Sequence, residues 1–301
     1  MKYFNSLSAI LTGTVITSAI VVMQHPTLAM TGQEVNNIAR EVTVLIHSIN
    51  PGSGVVIAKD NNKYYVLTAK HVVANDDEYS IITADKKAHK VEYSKIRKLS
   101  GSDLAIVEFT SKEDYKVATL ANSDNITEGN TVFVSGWPNP GTSIKTRIRQ
   151  FTTGQVSARP DAPLAGGYQM VYSNVTRAGM SGGPVFDTNG RVVGIHGQAE
   201  GEEIHLEERK IQEQSGISPD LLTNAQRVGL NLGIPIKTFL NQAPQNGIYL
   251  GLKVENSPPA DLASPYVASQ PDERDKINNI NDTLSTINQS INIMRGIRGL
   301  F

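Results

Sequence analysis

Three side chains in separate segments of the sequence are of the types that nucleophilic catalysis by a hydroxyl uses. Ser181 lies in a glycine-rich segment, residues 179–184 (GMSGGP). His71 follows an apolar run, and Asp103 comes just before another. A serine hydroxyl is a weak nucleophile at neutral pH, so it needs a nearby base and a group that orients the base. These residue types therefore indicate acyl-transfer chemistry with Ser181 as nucleophile.

The glycines around Ser181 fit such a site. A sharp turn is needed if the amides of Gly179 and Ser181 are to converge on one point as donors to an oxyanion, and glycine reaches conformations that other residues avoid. A turn without any chemistry has the same composition, so this segment alone leaves both interpretations open.

The partner of His71 has more than one candidate in the sequence. Asp76 and Asp77 lie nearer to His71 along the chain, and Asp103 could also serve as a cap at the start of a strand. The context of Asp103, residues 102–106 (SDLAI), favours it as the orienting carboxylate.

The composition is that of a globular protein. The chain has 301 residues, of which 39% are hydrophobic and 19% charged, which is enough for a packed core. A formal net charge of −1 gives no electrostatic reason to expect a nucleic-acid partner. Because the chain has no cysteine, disulfides and thiol nucleophiles are excluded. We expect no metal site and no cofactor.

Residues 1–29 have the pattern of a signal peptide. Lys2 precedes an apolar run at residues 7–23, and residues 27–29 (TLA) are suited to cleavage after Ala29. The alternative is a membrane anchor, for which a run of about 17 residues is marginal against a bilayer core of ~30 Å. We expect removal of this segment and an exported protein, in the periplasm or secreted to the medium.

The central part of the chain predicts an all-β protein. From Val42 onward, short β-rich runs alternate with Gly, Asn and Pro turns, which is typical of a sandwich or barrel. A polar stretch at 120–129 marks the predicted boundary between domains at 30–121 and 122–254. Residues 198–227 are acidic and helix-compatible, and we interpret them as a surface insertion in the second domain.

The C-terminal part predicts a different organisation. Residues 255–274 are rich in proline and are interpreted as a linker. Residues 275–301 predict a helical tail with an apolar stripe at alternating three- and four-residue steps, formed by Ile277, Ile280, Leu284, Ile287, Ile291 and Met294. This stripe is compatible with self-association or with docking on the chain's own body, and the sequence favours neither.

Three segments together resemble a known family. Residues 68–72 (TAKHV), 102–107 (SDLAIV) and 179–184 (GMSGGP) are similar to the TAxHV, xDLAxx and GxSGGP segments of the chymotrypsin-like (trypsin-like) serine peptidases. Their order and spacing resemble the disulfide-free bacterial branch, which includes Deg/HtrA-type proteases and glutamyl endopeptidases. Accompanying segments at 52–57, 134–138 and 231–236 extend the resemblance over about residues 42–252.

This resemblance implies two six-stranded antiparallel β-barrels with the site between them. His71 and Asp103 would come from the first barrel and Ser181 from the second. His71 would accept the Ser181 proton and return it to the leaving amine, while Asp103 would fix the His71 tautomer. The amides of Gly179 and Ser181 would form the oxyanion hole, and the substrates would be proteins or peptides.

The resemblance also departs from parts of the family. Met180 stands where many animal members have an acidic residue that pairs with a freed N-terminus, so activation by that ion pair is excluded. The residues after Leu252 are too few for the PDZ domain that Deg/HtrA proteins carry.

The residues flanking the nucleophile segment suggest a specificity. Thr176 and His196 fill positions at which glutamyl endopeptidases carry a Thr and a His, and Arg177 adds a positive charge nearby. All three could donate to a substrate carboxylate, which predicts cleavage after Glu or Asp. Alternatively Thr176 and His196 satisfy local backbone groups and the pocket accepts small or apolar residues.

The sequence therefore predicts an exported serine endopeptidase. Two other interpretations stay open: a Deg/HtrA-like protein-quality-control protease without PDZ domains, and an inactive binding module on a protease-like scaffold.

Overall fold

A computed structural model of the chain describes residues 29–199 and 230–260. Within these ranges it contains two α-helices, α1 (Gly32–Val42) and α2 (Ile236–Gln245), and fifteen strands. The strands are β1 Thr43–His47, β2 Gly52–Asp60, β3 Lys63–Ala69, β4 Tyr79–Ile82, β5 Ala88–Val91, β6 Arg97–Lys98, β7 Leu104–Thr110, β8 Leu120–Ala121, β9 Thr131–Gly136, β10 Gln150–Ala158, β11 Met170–Tyr172, β12 Pro184–Phe186, β13 Val192–Ala199, β14 Asn231–Pro235 and β15 Val254–Glu255.

Several sequence predictions lie outside the described residues. These are nearly all of the signal peptide (1–29) and of the linker (255–274), the whole tail (275–301) and most of the insertion (198–227). No helix of the described part is long and apolar enough to cross a membrane.

The first sheet contains seven antiparallel strands in the order β5-β4-β1-β2-β3-β7-β6. Its inner strands are almost wholly buried, as expected for β-rich runs without strict alternation. At its two ends, β5 and β6 are short and largely exposed, and β6 has only two residues. This sheet curls into a half-barrel.

The second sheet closes on itself. Its order is β12-β9-β10-β11-β14-β13, and β12 also pairs with β13, which completes a barrel of six strands. The short strand β8 pairs in parallel with β13, and β15 pairs in parallel with the other edge of β8. The chain leaves the first sheet at Thr110, the end of β7, and joins the second at Leu120.

The predicted all-β architecture is confirmed, with one difference in detail. The second sheet is the expected six-stranded barrel, whereas the first is a seven-stranded half-barrel. The physical reason is that β6 is too short to offer β5 a ladder of hydrogen bonds.

The two sheets share one hydrophobic core, which fixes how the site between them is built. Val55, Leu67 and Leu104 of the first sheet pack in the same buried cluster as Phe186 and Ile195 of the second, among others. Helix α1 joins this cluster through its buried face, and its first turn is held by a capping box between Thr31 and Glu34.

Candidate active site

The pairing of two strands brings His71 and Asp103 together. Strands β3 and β7 are antiparallel, with Ala69 opposite Leu104, so the residues after β3 lie beside those before β7. His71 Nδ1 is 2.6 Å from Asp103 Oδ2, and the His71 backbone N–H donates to Oδ1 at 2.9 Å. The carboxylate therefore holds both the ring and the backbone of His71.

The Asp103 carboxylate is partly buried and accepts a third donor. The Tyr168 hydroxyl donates to Oδ2 at 2.5 Å. Burial acts to raise the pKa of Asp103, but the hydrogen bonds from His71 and Tyr168 and the charge of His71 outweigh it, so the pKa lies below its ordinary value. Asp103 is thus a carboxylate at neutral pH, suited to orient an imidazole.

The rival carboxylates do not take this place. Asp77 accepts from the backbone N–H groups of Ile49, at 3.0 Å, and of Glu78, at 2.7 Å. The carboxylate that meets His71 is that of Asp103. The side chain of His71 remains 46% exposed, so its ring opens toward solvent.

Ser181 lies against the end of the strand that leads to His71. The N–H of Ser53 donates to the Ser181 carbonyl at 2.8 Å. The next residue, Gly182, has φ +84°, and a Cβ there would lie 2.1 Å from Thr68 Oγ1 and 2.2 Å from the Ser53 carbonyl. Only glycine permits this approach. It places the nucleophile segment against Thr68 of β3, three residues before His71 in the chain.

The turn before Ser181 presents two backbone amides. Gly179 has φ +94°; the carbonyl of Ala178 accepts from Asn139 N–H, and that of Gly179 accepts from Ser53 Oγ, both at 2.8 Å. The carbonyl of Met180 accepts from Gly183 N–H at 3.0 Å. Because a peptide carbonyl points away from the N–H of the following residue, the held carbonyls of Ala178 and Met180 direct the amides of Gly179 and Ser181 the other way. Among the hydrogen bonds of residues 29–199 and 230–260, neither Gly179 N–H nor Ser181 N–H is a donor, as an oxyanion site requires.

Met180 is fully buried, in a cluster that includes Val134 and Val185 of the second barrel. A Cβ on Gly136 would lie 2.9 Å from Met180 Cβ, so the side chain packs directly on the β9 backbone. The position thus contributes to the core and forms no ion pair.

His196 and Thr176 are buried near each other through strand β14. His196 lies opposite Gly233 in the β13–β14 pair, and Thr176 donates to Asn231 Oδ1. His196 Nδ1 is 2.7 Å from the hydroxyl of Tyr172, whose complete burial raises its pKa well above the ordinary value.

Arg177 extends in another direction. A Cβ on Gly141 would lie 2.6 Å from an Nη atom of Arg177, so the guanidinium lies against the loop that follows β9. The Arg177 guanidinium is thus placed at this loop, whereas Thr176 and His196 are buried.

Sequence reasoning missed several residues that shape the site: Ser53, Asn139, Tyr168, Tyr172 and Asn231. Ser53 lies in a segment, residues 52–57, that carried the resemblance without an assigned role. Tyr168 and Tyr172 sit in no recognisable motif, and only their hydroxyl contacts reveal them. Within the described ranges, no group of three or more His, Asp or Glu side chains is placed to hold a metal ion.

The chain is similar to several known proteins. Residues 52–195 match the family "Trypsin-like peptidase domain". "Serine protease Do-like HtrA" of Lactobacillus helveticus is 30% identical over 155 residues, 50% of this chain and 36% of that protein. "Probable periplasmic serine endoprotease DegP-like" of Pseudomonas fulva is 34% identical over 149 residues, 49% of this chain and 29% of that protein. The chain thus spans about a third of the length of these relatives.

A solved structure supports the fold. "HtrA-type protease AlgW with tripeptide" aligns with TM-score 0.53 and 20% identity, over 74% of this chain and 65% of that one. The matched segment contains His71, Asp103 and Ser181 and ends just before His196. Residues 52–195 therefore match a trypsin-like peptidase domain, the described fold is consistent with a chymotrypsin-like one, and HtrA- and DegP-type serine proteases are among the proteins to which the chain is similar.

Proposed function

We propose that the chain is an exported serine endopeptidase that hydrolyses proteins or peptides with Ser181, His71 and Asp103. The observation that carries this proposal is the Asp103–His71 pair, 2.6 Å apart, beside a nucleophile turn whose Gly179 and Ser181 amides donate to no other group of residues 29–199 and 230–260. A serine in any other Gly-rich turn would not need both features.

In this mechanism His71 accepts the Ser181 hydroxyl proton as the oxygen attacks the scissile carbonyl. Asp103 keeps the proton of neutral His71 on Nδ1, which leaves Nε2 as the base, and stabilises the imidazolium that forms. The amides of Gly179 and Ser181 donate to the oxyanion of the tetrahedral intermediate. His71 then protonates the leaving amine, and water hydrolyses the acyl-enzyme by the same steps.

A fluorophosphonate probe tests the proposal on the chain after export. The wild type should be labelled, and Ser181→Ala should not be. Ser123→Ala, which removes another buried serine hydroxyl, should retain labelling and serves as the matched control. Absence of labelling in a folded wild type would favour the inactive binding module instead.

The proposed primary specificity is for Glu, and to a lesser degree Asp, before the scissile bond. Because the pKa of Tyr172 is raised, its hydroxyl stays protonated and can donate to His196 Nδ1. A neutral His196 then carries its proton on Nε2, as a donor for a substrate carboxylate. Thr176 donates to Asn231 in the structure and would turn its hydroxyl toward the substrate on binding.

A peptide-library digest measures this preference. Cleavage should follow Glu most often, and His196→Val should weaken cleavage after Glu about tenfold or more relative to cleavage after Leu, since a donor to a charged group is lost. His47→Val, at an exposed histidine of β1, is the control. Equal cleavage after Glu and Leu by the wild type would contradict the acidic specificity but leave the endopeptidase proposal intact.

A second candidate is an HtrA/Deg-type protease of the periplasm, which is favoured by relatives described as Do-like and as periplasmic DegP-like. Such an enzyme would degrade unfolded proteins with broad specificity, and residues 275–301 would contribute to its self-association. Faster cleavage of an unfolded than of a folded protein, without preference for Glu, would select this candidate. Light scattering of the full chain would test the assembly.

A further inference from the structure

Tyr168 reaches from the second sheet to the catalytic aspartate of the first. It follows the 3₁₀ turn Ala165–Gly167 and precedes β11. Its hydroxyl donates to Asp103 Oδ2 at 2.5 Å, and the Asp103 N–H donates to the carbonyl of Gly166 at 2.7 Å. One loop of the second domain therefore holds both the backbone and the carboxylate of Asp103.

The same oxygen serves His71. Oδ2 is 2.6 Å from His71 Nδ1, while Oδ1 accepts from the His71 backbone. His71 supplies one donor to each oxygen of the carboxylate, and Tyr168 adds a second donor to Oδ2. The added donor comes from outside His71 and restricts rotation of the carboxylate about its terminal bond. The direction of the Nδ1 hydrogen bond, and with it the orientation of the ring, depends on the plane of the carboxylate.

Gly197 is what makes room for the phenol. A Cβ at position 197 would lie 2.1 Å from Tyr168 Cε1, 2.3 Å from Oη and 2.5 Å from Cζ. These distances are far below van der Waals contact, so a side chain at 197 and the Tyr168 ring exclude each other. The first atom of a side chain at position 197 would thus overlap the Tyr168 hydroxyl that donates to Asp103.

We propose that Tyr168 is a positioning residue of the triad, whose hydroxyl aligns Asp103 with His71, and that Gly197 is the complementary residue that admits it. Tyr168 acts through Asp103 and does not touch the substrate; it is 4% exposed. The inference rests on the proposed endopeptidase function, because its readouts are catalytic.

Tyr168→Phe keeps the ring and removes the hydroxyl. We expect kcat of the folded variant to fall about tenfold with KM unchanged, because a hydrogen bond that orients the Asp103 carboxylate is lost, and the melting temperature to fall by a few degrees for the same reason. Tyr168 is also part of the shared core, so a purely structural role would lower the melting temperature and leave kcat of the folded protein unchanged. That result would overturn the proposal.

A reciprocal exchange gives a second, independent test. Gly197→Ser alone should abolish most activity because it clashes with Tyr168. In a Tyr168→Ala background the same substitution should raise kcat severalfold, since a serine hydroxyl now occupies the vacated space beside Asp103. Gly197→Ala in that background fills the same space without a donor and should give no such gain.

Equal effects of serine and alanine at position 197 would overturn the proposal. The test also separates the two levels of inference. A folded wild type that fluorophosphonate does not label refutes the proposed function itself. A labelled wild type whose Tyr168→Phe variant keeps full kcat refutes only the role of Tyr168.

Discussion

The hydroxyl of Ser53, in the first sheet, donates a hydrogen bond of 2.8 Å to the carbonyl oxygen of Gly179, in the turn before the nucleophile. Ser53 Oγ also accepts from the backbone N–H of Trp137 at 2.8 Å. The Ser53 backbone N–H donates to the Ser181 carbonyl. One buried residue of the first sheet thus holds the carbonyls on both sides of Met180, and with them the turn that carries the amides of Gly179 and Ser181.

Removing this hydroxyl should therefore impair catalysis more than binding. In Ser53→Ala the Gly179 carbonyl and the Trp137 N–H lose a buried partner, which costs about 1–3 kcal/mol of the free energy of unfolding. The amides also become free to reorient, so kcat should fall about tenfold or more. Urea unfolding and steady-state kinetics on one peptide substrate measure the two effects.

Ser135→Ala is the matched control. Ser135 is buried on the neighbouring strand β9, and its hydroxyl accepts from Arg149 at 2.8 Å. We expect a comparable loss of stability with a smaller loss of kcat. If both variants lost kcat to the same degree, the hydrogen bond from Ser53 to Gly179 would have no special role in catalysis.

The Asp103 carboxylate should have a large effect on kcat, because it orients His71. Asp103→Asn cannot hold the proton of neutral His71 on Nδ1 in the same way, because the amide offers one acceptor and two donors. We expect kcat to fall by about four orders of magnitude, the size of effect known for this change in a Ser–His–Asp triad. Asp77→Asn is the control and should retain activity, because the Asp77 carboxylate accepts from the Ile49 backbone N–H and not from His71.

The lowered pKa of Asp103 also predicts how stability depends on pH. Because the pKa is lower in the folded than in the unfolded protein, the carboxylate's contribution is complete above the unfolded value of about 3.9 and is lost as the pH falls through the folded value. Urea unfolding between about pH 5 and pH 2 should therefore show a smaller loss of stability for Asp103→Asn than for the wild type. Parallel pH profiles would contradict this assignment.

The hydrogen bond from Tyr172 to His196 should control specificity rather than the reaction itself. Tyr172→Phe removes the hydroxyl that, in the proposed arrangement, donates to Nδ1, so the His196 proton can move to that atom and Nε2 would no longer donate. We expect cleavage after Glu to weaken about tenfold, with fluorophosphonate labelling of Ser181 unchanged. A uniform loss across all peptides would show instead that Tyr172 supports the barrel core.

The residues proposed to carry the chemistry could be selected from the sequence because such a reaction restricts their types and local contexts. His71, Asp103 and Ser181 each follow or precede an apolar strand, and the register of β3 against β7 then brings the first two together. Tyr168 and Ser53 could not be assigned a role, because their partners lie in the other sheet and far away along the chain, where no local pattern indicates them. The number of strands in the first sheet could not be predicted, because β6 has only two residues, both exposed, and gives no recognisable β-rich run in the sequence.

Gly182 provides the sharpest test of how the two sheets meet. Gly182→Ala would place a Cβ 2.1 Å from Thr68 Oγ1, so the nucleophile segment would have to move away from the strand that leads to His71. We expect activity to be lost almost completely. Gly129→Ala is the matched control, because Gly129 has nearly the same φ, +86°, but no atom within 4 Å of the added Cβ.

The control isolates the backbone cost of the alanine, roughly 1–2 kcal/mol at positive φ, from the clash. Gly129→Ala should therefore lower the melting temperature by a few degrees and leave kcat unchanged. Kinetics and thermal unfolding of both variants decide the matter. If Gly182→Ala lost no more activity than Gly129→Ala, the close approach of Gly182 to Thr68 would not position Ser181.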